Sequence, residues 1–160
     1  MRVEEITIIA APVDRCFDLS RSVEVHLLGN RHWRENAAAV AGATSGLLEF
    51  NDCVTWRARH FGVRWLLTSR ITAFNRPTFF EDRQIGGPFR AMDHQHHFRE
   101  IGDGRTEMRD VFSFAAPIPI LGRAAEILLL GRYMRALLRE RNRAIRQIAE
   151  SADWRSFPGL

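Results

Sequence analysis

The chain has 160 residues, 46% of them hydrophobic and 26% charged, which is ordinary for one globular domain and leaves no room for a second. No apolar run approaches the ~20 residues that a membrane-spanning helix needs, and the acidic residues of MRVEEITIIAAP are unlike a signal peptide, so we expect a cytoplasmic protein. The formal net charge is +4 and lysine is absent, which keeps anionic partners open as an alternative.

The first elements are a strand and two short helices. Residues 3–10 alternate as a β-strand with one wetter face, and Pro12 suits the first turn of a helix. The alternation sets Glu5, Thr7 and Ile9 against Ile6, Ile8 and Ala10. A second helix over 23–28 is predicted to begin after Ser22 as its N-cap and to end at Gly29.

A β-hairpin is predicted in the middle of the chain. A weak, alanine-rich strand over 37–44 precedes two stronger strands over 52–60 and 63–75, which a tight turn at 61–62 joins. If His60 pairs with Val63, one mainly apolar face of the hairpin carries Val54, Trp56, Ala58, Val63, Trp65, Leu67 and Ile71.

Residues 77–114 hold the main functional clue. They indicate three consecutive strands joined by glycine-rich turns at 86–88 and 102–104. One face of these strands collects Phe80, Asp82, Gln84, Met92, His94, His96, Phe98, Met108, Asp110, Phe112 and Phe114. The other face, which suits water, collects Glu81, Arg83, Asp93, Gln95, His97, Arg99, Glu107 and Arg109. The first face is therefore apolar with a polar cluster at its centre.

The turn lengths also predict which residues of this face lie opposite each other. A tight turn at 102–104 places His96 opposite Asp110, and the preceding turn places Asp82 near His94. Two carboxylate–imidazole pairs then lie side by side on an apolar surface. Such pairing is expected because buried ionisable groups are costly when they have no partner.

The C-terminal part of the chain is predicted to be one long helix over 121–152, followed by a short tail. At 1.5 Å per residue it is ~45 Å long, enough to cross the whole sheet. Its apolar stripe consists of Ala124, Ile127, Leu128, Leu130, Met134, Leu137, Leu138, Ile145 and Ile148. A single antiparallel sheet with one apolar face needs a cover, and this helix is the only candidate.

This arrangement resembles the START-like superfamily, also called SRPBCC, which includes polyketide cyclase/dehydrase and lipid-transport proteins. The resemblance covers nearly the whole chain and rests on two motifs. The motifs are Ile8-Ile9-Ala10-Ala11-Pro12 with Cys16-Phe17-Asp18-Leu19, and then Phe80, Asp82, Gln84, Gly87-Pro88-Phe89, His94, His96, Phe98, Thr106, Met108 and Asp110.

The resemblance implies an α+β helix-grip fold. In it, a seven-stranded curved antiparallel sheet wraps around the long C-terminal helix, and two short helices follow the first strand. It further implies one ligand-binding domain over 1–153 with a tail at 154–160, and a cavity between sheet and helix. The expected ligand is a small hydrophobic molecule of lipid or polyketide type, and no cofactor is expected.

Three interpretations of the polar cluster stay open: a structural hydrogen-bond network, recognition of a ligand, and general acid–base catalysis by His96 with Asp110. A cyclase, dehydrase or hydrolase reaction would use the third. The predicted ligand-binding residues are Asp82, Gln84, Met92, His94, His96, Met108, Asp110, Phe112, Trp56, Trp65 and Met134.

The histidines and cysteines carry only weak signals for a metal site. His94, His96 and Asp110 have the composition of a two-His-one-carboxylate site, but paired strand histidines are weak evidence, and we predict no metal. Cys16 and Cys53 form no C-x-x-C motif, so both are expected to be small buried hydrophobic residues.

Arginines at helical spacing form a stripe on the last helix. This pattern is typical of a solvent-exposed helix face. The stripe consists of Arg132, Arg135, Arg139, Arg143 and Arg146. Its alternative use is as an adaptor for anionic membrane or nucleic acid, although no nucleic-acid motif supports this and none is expected as a partner. His26, His32 and His60 stand alone and are expected at the surface or in satisfied core positions. The oligomeric state is open.

Overall fold

The computed structural model describes residues 1–29, 38–60, 63–115 and 122–160. The elements in chain order are β1 (Arg2–Ile9), α1 (Val13–Ser20), α2 (Val23–Gly29), β2 (Ala38–Gly42), β3 (Cys53–His60), β4 (Val63–Asn75), β5 (Phe79–Gly86), β6 (Ala91–Glu100), β7 (Thr106–Ala115), α3 (Gly122–Glu150) and a short 3-10 helix (Asp153–Ser156). The predicted turns at 61–62 and the segment before residue 122 lie outside the described residues.

Seven antiparallel strands form one open sheet in the order β1-β7-β6-β5-β4-β3-β2. This confirms the predicted α+β helix-grip class. Gly102, Asp103 and Gly104 all have positive φ angles, which suit a tight β6–β7 turn because glycine adopts them without a steric penalty. That turn sets the predicted register, with His96 opposite Asp110. Asp82 lies opposite His94, also as predicted.

The two faces of the sheet differ along β6 as the alternation predicts, whereas Glu81 of β5 departs from it. Met92, His94, His96 and Phe98 of β6 are all buried on the inner face. Glu81, predicted on the water-facing side, is instead only 5% exposed. Its carboxylate accepts hydrogen bonds from Thr72, Gln95 and Arg83, so neighbouring polar side chains on the outer face replace the lost water.

The main core lies where α1 packs on the sheet. Phe17 is fully buried, and its ring makes edge-on contacts with Phe74, Phe80 and Phe98 at centroid distances of 5.3, 5.4 and 5.4 Å. Such aromatic contacts stabilise a core by ~0.5–1.5 kcal/mol each beyond area burial. A second, smaller cluster under α3 is formed by Val3, Met92, Phe112, Phe114 and Leu138.

The wetter face of β1 points towards α3 rather than towards water. Glu5 accepts a hydrogen bond from Arg139 at 2.9 Å, and Thr7 accepts one from Asn142 at 3.3 Å. Ile6 is 54% exposed on the opposite side. Polar residues of α3 therefore satisfy the polar side chains on the covered face of β1, where Val3 and Ile9 are also buried.

Helix α3 has the predicted stripe in its described part, with Leu138 and Ile145 buried. Leu130, Met134, Leu137 and Ile148 are half-buried. The side chains of Ala124, Ile127 and Leu128 lie outside the described residues. No described helix is long and apolar enough to cross a membrane.

The first residue of β4 and the C-terminal tail pack in ways that the sequence pattern did not indicate. Val63, predicted on the apolar face of the hairpin, is 54% exposed, because it begins β4 at the open end of that face. The C-terminal tail packs against the main core through Trp154, Phe157 and Leu160.

Candidate functional site

Four ionisable side chains meet on the inner face of the sheet. Asp82 comes from β5, His94 and His96 come from β6, and Asp110 comes from β7. The hydrogen bonds run diagonally: His94 Nε2 lies 2.9 Å from Asp110 Oδ1, and His96 Nε2 lies 3.2 Å from Asp82 Oδ1. The predicted backbone pairs are thus confirmed, but the hydrogen-bonded side-chain partners are diagonal neighbours, because side chains lean along their strands in a twisted sheet.

Asp110 is the best-anchored member of the cluster. It is fully buried, and it accepts hydrogen bonds from Arg141 Nη1 at 3.2 Å and from Asn142 Nδ2 at 2.8 Å. Arg141 also donates to the carbonyl oxygen of Ser20, which ties the cluster to the end of α1. Burial alone raises the pKa of Asp110, but the Arg141 guanidinium and the bond from His94 outweigh it and hold this pKa well below its ordinary value.

His96 is held between two carboxylates and two rings. Its ring stacks on Phe80 at 4.1 Å and lies 3.8 Å from the ring of His94. His96 Nδ1 is 2.8 Å from Asp110 Oδ1, yet the angle does not make a hydrogen bond, and this buried atom has no hydrogen-bond partner among the described residues. The imidazole position is therefore set by packing as well as by polar contacts.

The neighbouring ionisable groups have shifted pKa values. Burial, and then the proximity of His96, lowers the pKa of His94 to about 4, although Asp110 and Asp82 oppose the change. Burial raises the pKa of Asp82, but the bond from His96 and the nearby imidazoles outweigh it, so this pKa lies below its ordinary value. His94 is consequently a neutral imidazole at pH 7 and Asp82 a carboxylate.

Three residues near the cluster were missed in the sequence. His26 of α2, expected to be isolated, stacks on Trp56 at 4.1 Å, and burial followed by the charge of Arg141 lowers its pKa to about 3. Arg141 and Asn142 are buried on the inner side of α3. A signal for both existed, since they occupy the stretch of the apolar stripe between Leu138 and Ile145 at helical spacing.

The other predicted ligand-binding residues lie in different surroundings. Met92 and Phe112 belong to the cluster under α3, with Met134 half-buried beside it. Trp56 is buried, and Trp65 is half-buried two rungs along the same hairpin.

Two predicted ligand-binding residues are engaged elsewhere. Gln84 binds both backbone groups of Phe89 and so braces the β5–β6 turn. Met108 is fully buried in the main core, with its sulfur 3.4 Å from the hydroxyl of Ser20.

The arginine stripe of α3 is solvent-exposed. All five of its arginines are exposed, and three of them pair with acidic residues: Arg139 with Glu5, Arg143 with Glu140, and Arg146 with Glu150. Such exposed pairs contribute ~0–1 kcal/mol each to stability and leave less positive charge available for an anionic partner.

Known structures share this architecture across almost the entire chain. The Zhui aromatase/cyclase from Streptomyces sp. R1128 superposes with a TM-score of 0.68 at 16% identity, covering 94% of this chain and 93% of that one. A START superfamily protein from Mycobacterium smegmatis gives a TM-score of 0.67 at 10% identity, with coverages of 93% and 97%. The chain has the START-like fold. The predicted resemblance is thereby confirmed at the level of the fold.

The START-like fold is also found in ginseng major latex-like protein 151 from Panax ginseng, with a TM-score of 0.65, 12% identity, and coverages of 94% and 98%. By sequence, the chain matches no family model and no curated protein. Because the sequence identity to these structures is low, the similarity establishes the fold only, and the function has to be inferred from the site.

Proposed function

We propose that this protein binds a small, mainly apolar molecule carrying at least one oxygen group, in the space between the inner face of the sheet and α3. The observation that carries the proposal is the polar cluster at the centre of an apolar surface. The Asp82 side chain is 19% exposed although it points to the inner face, and His26 above it is half-buried. Residual accessibility at these two groups supports a space that a ligand can enter.

The apolar surroundings suit the body of such a ligand. Trp56, Met92 and Phe112 line the inner face around the cluster, while Leu67 and Met134 are half-buried near the helix. START-like proteins related only by fold do not identify the ligand. The residue types here favour a hydrocarbon or aromatic skeleton, since they offer dispersion contacts and few hydrogen bonds.

The polar groups suit one end of the ligand. The Asp82 carboxylate can accept a hydrogen bond from a hydroxyl group of the ligand. The neutral imidazole of His94 can donate or accept one, because the tautomer determines which of its nitrogens carries the proton. A hydrogen bond from a ligand hydroxyl to the Asp82 carboxylate is stronger in a low-dielectric site than in water, so these residues orient the ligand.

The experiment that tests binding is native mass spectrometry of the protein purified from its own source, followed by extraction of co-purifying molecules. We expect a mass adduct that disappears under denaturing conditions. Leu67→Trp should reduce its occupancy, or the affinity for a hydrophobic fluorescent probe, about tenfold by filling the space. Leu66→Trp is the matched control, because Leu66 is 58% exposed on the opposite face. Equal effects of the two variants, or no adduct and no probe binding, would refute the proposal.

A second candidate function, acid–base catalysis, is favoured by one contact. Asp110 accepts a hydrogen bond from His94 Nε2, which leaves the His94 Nδ1 lone pair 4.0 Å from Asp82. A carboxylate-oriented imidazole is the usual general base. The extracted ligand should then be converted by the wild type, and conversion should be lost in His94→Gln, His96→Gln and Asp110→Asn but kept in His97→Gln. Recovery of unchanged ligand after long incubation would leave plain binding.

A further inference from the structure

We propose that Asp82, His94 and His96 bind one divalent transition-metal ion, with Asp110 as the carboxylate that orients both histidines from behind. The proposal does not require the organic ligand inferred above. It also differs from the triad that the sequence suggested, in which Asp110 would be a direct ligand.

Three donor atoms converge at this point of the inner face. One ligand atom from each of Asp82, His94 and His96 lies within 4.8 Å of the other two. Asp82 Oδ1 is 3.2 Å from His96 Nε2 and 4.0 Å from His94 Nδ1. Ligands around tetrahedral zinc, with bonds of ~2.0–2.1 Å, stand ~3.4 Å apart, so small side-chain shifts would bring these atoms to bonding distance.

The backbone makes this convergence rigid. His94 and His96 are two residues apart on β6 and therefore share a face, and Asp82 is the cross-strand partner of His94 on β5. Sites built on paired strands keep their geometry better than sites on loops.

The far sides of both imidazoles face the same carboxylate. Asp110 Oδ1 is hydrogen-bonded to His94 Nε2 at 2.9 Å and lies 2.8 Å from His96 Nδ1, a contact that needs a rotation of the His96 ring to become a hydrogen bond. Metal-binding histidines usually donate their second N–H to a carboxylate, which selects the tautomer and orients the ring. Asp110 is itself held by Arg141 and Asn142, so its oxygens are already occupied and do not serve as metal ligands.

His96 supplies the independent reason for a cation. A neutral imidazole carries a single N–H, yet His96 has a carboxylate oxygen near each nitrogen, at 3.2 Å and 2.8 Å. In the neutral ring, one of these two contacts places two lone pairs together. A metal ion between His96 Nε2 and Asp82 removes this repulsion and leaves the proton on the Nδ1 atom, which otherwise has no hydrogen-bond partner among the described residues.

The donor set selects a class of metal. Two imidazole nitrogens and one carboxylate oxygen suit Zn²⁺, Fe²⁺, Co²⁺ or Ni²⁺, whereas Mg²⁺ and Ca²⁺ prefer all-oxygen sites. The cluster contains two carboxylates, and in the described part of the chain only Asp110 is seen to pair with a guanidinium, that of Arg141, so a divalent cation beside Asp82 also offsets negative charge. Three protein ligands leave at least one coordination position for water or a substrate oxygen.

The first test is titration of the EDTA-stripped protein with Co²⁺ and Zn²⁺. We expect one ion per chain and Co²⁺ d–d absorption without a thiolate charge-transfer band. Asp82→Asn and His96→Gln should each weaken binding at least about tenfold. His97→Gln, the neighbouring imidazole on the opposite face of β6, should bind as the wild type does. A thiolate band, an equal loss in His97→Gln, or no binding by folded wild type would overturn the proposal.

The second test needs no variants, so misfolding cannot obscure it. Nitrogen-15 spectra of the histidine rings should show that Zn²⁺ shifts His96 Nε2 and His94 Nδ1 and leaves His97 unchanged. If both nitrogens of His96 carry protons and neither ring responds to Zn²⁺, a proton occupies this position instead of a metal, and the proposal is wrong.

Discussion

Asp110 connects three parts of the molecule through one carboxylate. Its partners are His94 on the same sheet and Arg141 and Asn142 on α3, and Arg141 continues to the last residue of α1 through the Ser20 carbonyl. Removing one partner from such a buried set lowers the free energy of unfolding by more than the complete set adds to it. The reason is that the remaining charge stays buried without water to solvate it.

We therefore expect Asp110→Asn to lower the free energy of unfolding by about 3–5 kcal/mol, since Arg141 would remain buried beside a neutral amide. Urea unfolding at pH 7 measures the change. Asp103→Asn, at an exposed turn position where asparagine also tolerates a positive φ, is the control and should change stability by less than ~0.5 kcal/mol. Equal stabilities of the two variants would show that Asp110 is not the central partner.

At the scale of elements, α1 is attached to the rest of the fold by a carboxylate between two guanidinium groups. Asp18 accepts hydrogen bonds from Arg21 Nε at 2.9 Å and from Arg76 Nη2, just after β4, at 2.7 Å. Burial raises the pKa of Asp18, but the bonds from Arg76 and Arg21 outweigh it, so the pKa is lowered overall.

This lowered pKa predicts the acid dependence of stability. A group whose pKa is lower in the folded state stabilises the protein above its unfolded pKa, ~3.9 for aspartate, and this contribution is lost as the pH falls through the folded value. The stability difference between wild type and Asp18→Asn should therefore be constant above pH ~5 and shrink in more acidic solution. Urea unfolding across this range measures it. A difference that grows towards acid would contradict the assignment.

The contact between α2 and α3 depends on a missing side chain. A Cβ atom at Gly29 would lie 3.0 Å from the Cα atom of Arg141, tighter than most Cβ contacts, so one of the two backbones would have to shift. Gly29→Ala should thus separate the helices, destabilise the protein by about 1–3 kcal/mol and disturb Arg141. Thermal and urea unfolding measure this. At Gly86, where the nearest atom would be 3.9 Å away, the same substitution serves as the control for overpacking. A stabilised Gly29→Ala variant would show that the helices have room to adjust.

At the scale of the whole molecule, the inward-facing residues differ in burial from one side of the core to the other. The Phe17 ring and its aromatic neighbours fill the end next to α1, whereas the side around Asp82 and His26 retains accessible surface. The two cysteines also differ in burial: Cys16 is fully buried in the main core, as expected, whereas Cys53, also expected to be buried, is half-buried at the start of β3.

Cys16 should consequently react only after global unfolding. Burial raises the pKa of its thiol to about 11, so almost no thiolate forms near neutrality. We expect iodoacetamide at pH 8 to label Cys53 first and to label Cys16 only in denaturant, as followed by mass spectrometry of the two peptides. Labelling of Cys16 at the rate of Cys53 in the folded protein would mean that the core opens locally.

Much of this architecture was predictable because two periodicities govern it. Alternation along a strand assigns each side chain of 77–114 to one face, and the glycines at 102 and 104 set the β6–β7 register, so Asp82, His94, His96 and Asp110 could be placed together in advance. The helical repeat likewise placed Leu138 and Ile145 on the covered side of α3.

The sequence by itself determined the strand faces, the register and the residue types of the site, because these follow from local geometry and turn length. Tertiary structure alone decided which groups complete the site. Arg141 and Asn142 donate hydrogen bonds to Asp110 although they are 31 and 32 residues away in the sequence. His26 on α2 stacks on Trp56 of β3. Helical spacing assigns Arg141 and Asn142 to the covered side of α3, but their contact with Asp110 depends on how α3 packs against the sheet, and the contact of His26 depends likewise on α2. The same packing placed the hydrogen-bonded carboxylate and imidazole groups at diagonal, not directly opposite, positions of the sheet. It also brought three potential metal ligands within 4.8 Å of one another.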